Sequence, residues 1–299
     1  MATVLKTVFA QANVGSNPTP SANRSGFVFP PSQAEAPVTL QPHVPDGGGR
    51  QRIRRHRTGR TVTAVTLVYS ALSLNLRLIT IDGPVAVGKS SVGLLLAEKL
   101  GFQFFDTGVI YRTFTWKALD AGLSTSDTHA LILLARQTEF RFMPGAGARL
   151  TVLIDGKDIS RQLSQQQVEK SVALIAKIPE VRERMVEEQR RMAEDHRLVM
   201  AGRDIGTVVL PWADLKVFLT ASVHERARRR HAELQQRGAG IPFETVLAEL
   251  EQRDHNDTTR AVSPLKPAAD AVTIDTDGLS LEQVVDRILA LVESRRCAR

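Results

Sequence analysis

The segment from Gly83 to Ser90 constrains the fold most, because it matches the glycine-rich phosphate-binding pattern G-x-x-x-x-G-K-[ST]. It follows the apolar run 78–81 and precedes a helical pattern over residues 90–100. In that context the glycines let successive backbone N–H groups face one anion, and the start of the helix adds its partial positive charge. A strand, a phosphate-binding loop and a helix are therefore predicted in that order.

This loop is expected to bind a nucleoside triphosphate, with ATP and Mg²⁺ as the cofactors. The side chain of Lys89 would reach the outer phosphates, and the hydroxyl of Ser90 would ligate the metal ion. The residues predicted to contact the nucleotide are Gly83, Pro84, Val85, Ala86, Val87, Gly88, Lys89, Ser90 and Ser91. Switch GTPases, motor ATPases and small-molecule kinases share such a loop, so the loop alone does not identify the reaction. The chain lacks the Asn-Lys-x-Asp guanine-reading pattern, which argues against a GTPase.

From Leu78 onward, short apolar runs alternate with longer amphipathic stretches, which is typical of a parallel sheet with crossover helices. The candidate strands are 78–81, 102–105, 198–201, 215–219 and 271–274. The candidate helices are 90–100, 109–121, 165–177, 179–195, 222–236, 242–254 and 280–295. Turn signals at 144–147 and 155–156 indicate a small β-rich insert over about 139–162. We therefore predict an α/β fold with a five-stranded, parallel, doubly wound sheet.

Residues 1–77 differ from the rest of the chain in composition and charge. They are rich in Pro, Ser, Gly and Ala, and their nine basic and two acidic residues account for the whole net charge of +7. We expect this leader to be disordered. Three explanations stay open: a transit peptide, a nucleic-acid-binding arm through Arg50 to Arg60, or an artefact of the chosen start site. We favour the artefact, because 14–20 resembles an in-frame reading of a transfer-RNA arm.

Composition narrows the class of protein. A hydrophobic content of 42% and a charged content of 24% are ordinary for a globular protein, which excludes a wholly disordered or collagen-like chain. The single cysteine, Cys297, excludes an intrachain disulfide and fits a cytoplasmic location. No run of 18 apolar residues occurs, so no membrane partner is expected. Residues 78–299 carry no net charge, so we expect small-molecule substrates and no specific nucleic-acid partner.

Charged residues follow two of the predicted strands. Thr107 and Arg112 come after the second strand, and Arg203 and Asp204 come after the run 198–201. The carboxyl ends of parallel strands open into the crevice where α/β sheets bind ligands. These side chains are therefore candidates for binding a phosphorylated acceptor, although a solvated arginine or a structural ion pair would produce the same pattern.

A basic helix follows the fourth predicted strand. Arg226, Arg229 and Arg230 share one helical face by their i, i+3, i+4 spacing, and the glycine-containing segment 238–240 comes next. A basic helix that leads into a mobile loop suits a lid over about 226–243 that closes on a triphosphate. A solvated, salt-bridged helix face is the alternative.

Taken together, the motifs resemble those of the bacterial-type cytidylate kinases, which phosphorylate CMP and dCMP with ATP. The resemblance covers about residues 78–295. It rests on the segments GPVAVGKSS, FFDTGVIYR, PEVRE, AGRDIGTVV and RDHNDTTRAVSPLKPAADAVTIDT. It implies that residues 78–299 form one P-loop kinase domain with a helical lid and an acceptor-binding insert.

By matched position, the resemblance assigns the acceptor phosphate to Arg112, Arg203 and Arg260, with Thr107 beside them. Arg226 is expected to contact the donor nucleotide. The groups expected to act on the transferred phosphate are Lys89, Arg203, Arg230 and Arg260.

The resemblance also implies how the acceptor nucleoside is bound. Arg182 and Asp204 would read the cytosine edge, while Arg253 and Asp257 would hold the ribose. One position departs from the family pattern, because the base-contacting serine falls on Ala173. We therefore expect weaker discrimination of CMP from UMP than in members that carry the serine.

Two alternatives remain at this level. The chain could be another small P-loop kinase that acts on uridylate, adenylate or shikimate. It could also be a nucleotide-binding regulator whose basic leader binds nucleic acid. A monomer is expected in either case.

Overall fold

The computed structural model describes residues 76–297, so the predictions made for residues 1–75 lie outside the described residues. The strands are β1 (Leu78–Asp82), β2 (Gln103–Asp106), β3 (Phe140–Pro144), β4 (Leu150–Ile154), β5 (Lys157–Asp158), β6 (Leu198–Gly202), β7 (Leu215–Thr220) and β8 (Val272–Asp275). The helices are α1 (Lys89–Leu100), α2 (Gly108–Asp120), α3 (Thr128–Gln137), α4 (Gln166–Ile175), α5 (Pro179–Asp195), α6 (Val223–Gln236), α7 (Phe243–Thr259) and α8 (Leu281–Cys297).

Five strands form the main sheet, in the order β2-β6-β1-β7-β8. All four pairings are parallel, so the carboxyl ends of the strands meet at one edge. A second, antiparallel sheet of β3, β4 and β5 lies within the predicted insert. The α/β prediction with a five-stranded parallel sheet is thereby confirmed. Because β1 is central, the loop that follows it lies in the middle of the ligand-binding edge.

Both faces of the main sheet are buried, which explains why its strands are nearly continuous apolar runs. Successive side chains of β6 show the alternation. Val199 and Ala201 join one hydrophobic core with α1 and α8, while Leu198 and Met200 join a second core with α2, α3 and α5. Helices therefore cover the two faces separately, which is the doubly wound arrangement.

Residues 101–103 show why the end of α1 could be located from the sequence. Gly101 adopts the left-handed conformation with φ of 67°, and its N–H bonds to the carbonyls of Ala97 and Glu98. A glycine at this position satisfies the last helical carbonyls without a steric penalty. The chain then turns directly into β2.

The structure adds three features to the sequence prediction. Helix α3 was missed, although the side chain of Asp127 caps it by accepting from Ala130 N. A π-helical turn over Ile205–Val209 was missed as well. Helix α7 continues to Thr259 instead of ending at Asp254, which places Asp257 on a helix. Within residues 76–297, no helix has the length and apolar character needed to cross a membrane.

Candidate active site

The phosphate-binding loop connects the end of β1 to the start of α1. Gly83 has φ of +151°, and a Cβ there would lie 2.3 Å from the carbonyl oxygen of Leu219, so only glycine fits. Gly88 precedes α1 with φ of 96°, and no side chain in the described chain caps this helix. The first N–H groups of α1 are therefore available to bind an anion.

Lys89 lies folded against this loop. Its Nζ donates to the carbonyl oxygens of Gly83 at 2.8 Å and Pro84 at 2.6 Å. Burial, followed by the charge of Arg203, lowers the pKa of Lys89 to about 7, while nearby carboxylates including Asp106 act in the opposite direction. An anionic ligand at the loop would therefore favour the charged form of this buried amine.

Ser90 points away from the loop toward β2. Its Oγ donates to Oδ2 of Asp106 at 2.6 Å, and Oδ1 of Asp106 accepts from Gly108 N at 2.9 Å. Sequence reasoning did not select Asp106 as a functional residue. Its position as the last residue of a strand that ends at the ligand-binding edge was the available signal.

Arg182 of α5 and Asp204 after β6 form a buried ion pair, with 7% and 4% of their surfaces exposed. Arg182 Nε also donates to Oγ of Ser263 at 3.2 Å, and its guanidinium lies 5.6 Å from the ring centroid of Tyr111. Burial opposes the charge of Arg182, but Tyr111 and Asp204 raise its pKa above the ordinary value. The two predicted base-reading residues therefore lie together, already oriented by each other.

Four further predicted residues interact around this pair. Arg203 Nε binds Oδ2 of Asp257 on α7. Burial and neighbouring arginines lower the pKa of both Arg253 and Arg260. Arg260 Nε donates to the carbonyl of Ser263, but its Nη2 is buried and has no hydrogen-bond partner among the described residues. A buried guanidinium donor without a partner suits an anionic ligand.

Thr107 directly precedes α2, and Arg112 lies in its first turns. Thr107 Oγ1 donates to the carbonyl of Ala201 at 3.1 Å, so its proton is already used within the fold. Arg112 turns toward Gly108, since a Cβ on that glycine would lie 2.8 Å from Arg112 Nη1. The charge of Arg112 also contributes to the lowered pKa of Arg253. The structure thus brings Arg112 close to Arg182, Arg203, Arg253 and Arg260, which together form an arginine cluster. The hydroxyl of Thr107 is directed toward the sheet.

The two predicted lid arginines have different environments. Arg226 is 4% exposed, and its donors are used by Asp254, Ala221 and the carbonyl of Val85. Arg230 is half-buried and pairs with Glu233 at 2.8 Å on its own helix. The charge of Arg230 nevertheless contributes to the lowered pKa of Arg253. Arg226 therefore contacts the phosphate-binding loop directly, through the carbonyl of Val85. Arg230 lies at the border of the arginine cluster.

The insert contributes to a cavity beside this cluster. The cavity has a volume of about 460 Å³ and is bounded by Asp106 and Arg112 on one side and by Arg149, Thr151 and Ser160 of the insert on the other. The insert is thus placed where it can contribute to the binding of an acceptor.

The candidate site contains seven cationic groups and four carboxylates that act on one another electrostatically. The cations are Lys89, Arg112, Arg182, Arg203, Arg230, Arg253 and Arg260. The carboxylates are Asp82, Asp106, Asp204 and Asp257. A net positive cluster beside a phosphate-binding loop, on a doubly wound parallel sheet, defines a P-loop phosphotransferase.

Comparison with known proteins identifies the family within this class. The family model for cytidylate kinase matches residues 79–294, so the chain belongs to the cytidylate kinase family. It is an enzyme of the nucleoside monophosphate kinase class. The cytidylate kinase of Desulfitobacterium hafniense (strain Y51) is 48% identical over 217 residues, which cover 73% of this chain and 93% of that protein.

Two other relatives are more distant. The cytidylate kinase of Vibrio cholerae serotype O1 (strain ATCC 39315 / El Tor Inaba N16961) is 40% identical over 224 residues, which cover 75% of this chain and 99% of that protein. The bifunctional pantoate ligase/cytidylate kinase of Synechococcus sp. (strain JA-2-3B'a(2-13)) is 44% identical over 216 residues, 72% of this chain and 40% of that protein. The family resemblance inferred from the motifs is therefore confirmed.

Proposed function

We propose that this chain transfers the γ-phosphate of ATP to CMP or dCMP, producing CDP or dCDP and ADP. The observation that carries the proposal is the arginine cluster beside the phosphate-binding loop, in which Arg260 has a buried, unpaired Nη2. Such a donor set suits two phosphorylated ligands that must be brought together. The family of the chain supports the same reaction.

Electrostatics is the main problem in this reaction. The acceptor oxygen belongs to an anionic phosphate, so no general base is required. Two like unit charges 4 Å apart repel each other by about 4 kcal/mol at an effective dielectric constant near 20. Lys89 would hold the outer phosphates of the donor, while Arg112, Arg203 and Arg260 would hold the acceptor phosphate. These groups would then stabilise the charge of an in-line transition state.

Mg²⁺ fits the oxygen donors at the start of α1. The hydroxyl of Ser90 and the carboxylate of Asp106, which lie 2.6 Å apart, are the groups that would hold it. No cluster of three or more His, Cys, Asp or Glu side chains suited to a metal occurs within residues 76–297. This agrees with the usual mode of Mg²⁺, which takes one or two carboxylates and completes its shell with phosphates and water. When bound, the ion would neutralise charge on the phosphates.

Recognition of the acceptor nucleoside would fall to residues on α5, α7 and the turn after β6. We assign the cytosine edge to Arg182 and Asp204, because their buried pair presents a fixed set of donors and acceptors. Arg253 and Asp257 would hold the ribose. Since Ala173 offers no hydroxyl, selectivity for cytosine over uracil would depend mainly on the buried pair.

A coupled assay of ADP formation tests the proposal. ATP and Mg²⁺ are supplied with CMP, dCMP, UMP, AMP or shikimate as acceptor, using both the full chain and a chain that begins at Leu76. We expect CMP and dCMP to be the best acceptors for both proteins. Preference for another acceptor would replace the assigned substrate, and absence of phosphoryl transfer combined with salt-dependent binding to nucleic acid would favour a regulator.

We also propose a monomer in the cytoplasm, with activity that does not require the leader. Sedimentation of the purified chain tests whether it is a monomer. Mass spectrometry of the native protein tests whether residues 1–77 are present.

A further inference from the structure

Asp82 is a buried carboxylate to which the proposed mechanism gives no role. It is the last residue of β1, it directly precedes Gly83 of the phosphate-binding loop, and it is 4% exposed. Both of its oxygens are used. Oδ1 accepts from the backbone N–H of Ile205 at 2.8 Å, and Oδ2 accepts from that of Gly206 at 2.7 Å.

These two N–H groups begin the π-helical turn that follows β6. The side chain of Asp204, which precedes the turn, does not cap it, and the carbonyl of Asp204 accepts from Val208 and Val209. The first amides of a helical segment need an acceptor from elsewhere when they are buried. Asp82 supplies that acceptor from a neighbouring strand.

Packing leaves the turn little freedom. A Cβ on Gly206 would lie 3.1 Å from Thr80 Oγ1 and 3.3 Å from Asp82 Oδ2. The turn therefore lies directly against β1, and the strand register Asp82↔Gly202 fixes the other end of the same segment. Arg203 and Asp204 lie between these two fixed points. The backbone positions of Arg203 and Asp204 are therefore fixed relative to Asp82, which directly precedes the phosphate-binding loop.

We infer that Asp82 is a positioning residue that holds the acceptor-binding turn, with Arg203 and Asp204, in register with the phosphate-binding loop. The inference rests on the proposed function. Asp82 acts through the backbone of the turn and does not touch substrate. Removing one of its two accepted bonds should displace Arg203 and Asp204 while leaving the donor-binding backbone of Gly83 to Ser90 in place.

The test is Asp82→Asn, which preserves shape but replaces one acceptor oxygen with an NH₂ donor. That NH₂ must then face a backbone N–H, so one bond is lost. We expect kcat/KM for CMP to fall about 10- to 100-fold, as for a small misplacement of positioned groups. Binding of CMP, measured by calorimetry, should weaken more than binding of ATP, since Asp82 is only one of three carboxylates that favour the charged form of Lys89. Unchanged kcat/KM for CMP, or equal weakening of both ligands, would overturn the inference.

A second variant covers the case in which Asp82→Asn does not fold. Gly206→Ala alters no charge but crowds Thr80 Oγ1, Lys216 Cδ and Asp82 Oδ2 from the turn side. It should also weaken binding of CMP more than binding of ATP. Equal weakening of the two ligands, or no weakening of either, would overturn the inference.

The matched control is Asp214→Ala. Oδ2 of Asp214 accepts from the N–H groups of Arg77 at 2.8 Å and Leu78 at 3.0 Å, at the opposite end of β1. This variant should lower the melting temperature without changing the ratio of CMP to ATP affinity. A wild-type chain that is inactive on CMP would overturn the proposed function, whereas an active wild type with an unaffected Asp82→Asn variant would overturn only the role of Asp82.

Discussion

Arg226 of α6 and Asp254 of α7 join the two helices that pack against the phosphate-binding loop. Arg226 Nη1 lies 3.0 Å from Oδ1 of Asp254 and also donates to the carbonyl of Val85 at 3.2 Å. Val85 and Ala86 in turn contact the small hydrophobic core between α6 and α7. One guanidinium therefore links α6 and α7 to the backbone of the loop.

The first prediction concerns this link. Asp254→Asn leaves the buried guanidinium of Arg226 without its counter-charge, and breaking such a pair costs about 3 kcal/mol. We expect a lower melting temperature and a higher KM for ATP, because Val85 loses part of its support. Thermal unfolding and ATP kinetics measure the two effects.

The control for this prediction is Arg228→Ala on the same helix. The Arg228 side chain is 70% exposed and pairs only with Glu225 among the described residues, so its removal should change the melting temperature little. Equal effects of the two substitutions would contradict a specific role for the link.

The second prediction concerns pH. The pKa of Lys89 is lowered to about 7, first by burial and then by Arg203. Bound phosphates would favour the charged form and raise this pKa, so binding at pH 8 should take up a proton, and affinity for ATP should fall as pH rises above about 7. Calorimetry at pH 8 in buffers of different ionisation enthalpy measures the proton uptake. Lys89→Met should abolish it, and uptake that persists in this variant would assign the proton to another group.

The third prediction concerns base selectivity. Ala173→Ser adds a hydroxyl on an exposed position of α4, where serine is tolerated. One added hydrogen bond contributes about 0.5–1.5 kcal/mol, so the preference for CMP over UMP in kcat/KM should increase about two- to tenfold. Ser171→Ala, two residues earlier on the same helix, should leave the preference unchanged. An unchanged ratio in Ala173→Ser would remove the proposed role of this position.

The fourth prediction concerns the packing of α1 on β2. A Cβ on Gly93 would lie 2.4 Å from Cε2 of Phe104, which is fully buried and cannot move easily. Gly93→Ala should therefore destabilise the fold by about 1–3 kcal/mol despite the better helix propensity of alanine. Gly240→Ala, where the new Cβ meets nothing within 4 Å, should be neutral or slightly stabilising. Thermal unfolding of both variants distinguishes a steric effect from a general effect of alanine.

Much of the fold was predictable because its signals are local. The strands that flank the phosphate-binding loop and the crossover helices follow from apolar periodicity and glycine positions. Helix α3 carried such signals too, in the cap residue Asp127 and the apolar run 131–134, and was overlooked. The turn Ile205–Val209 carried none, because its capping group belongs to Asp82 in another strand.

The sequence by itself determined the phosphate-binding loop, the parallel sheet and the set of charged residues at its edge, since each depends on near neighbours in the chain. Only the tertiary structure decided which charges face each other. It pairs Arg182 with Asp204, Arg203 with Asp257 and Arg226 with Asp254. These pairings depend on strand order and helix packing, which bring together residues up to 54 positions apart, and no local pattern records that proximity.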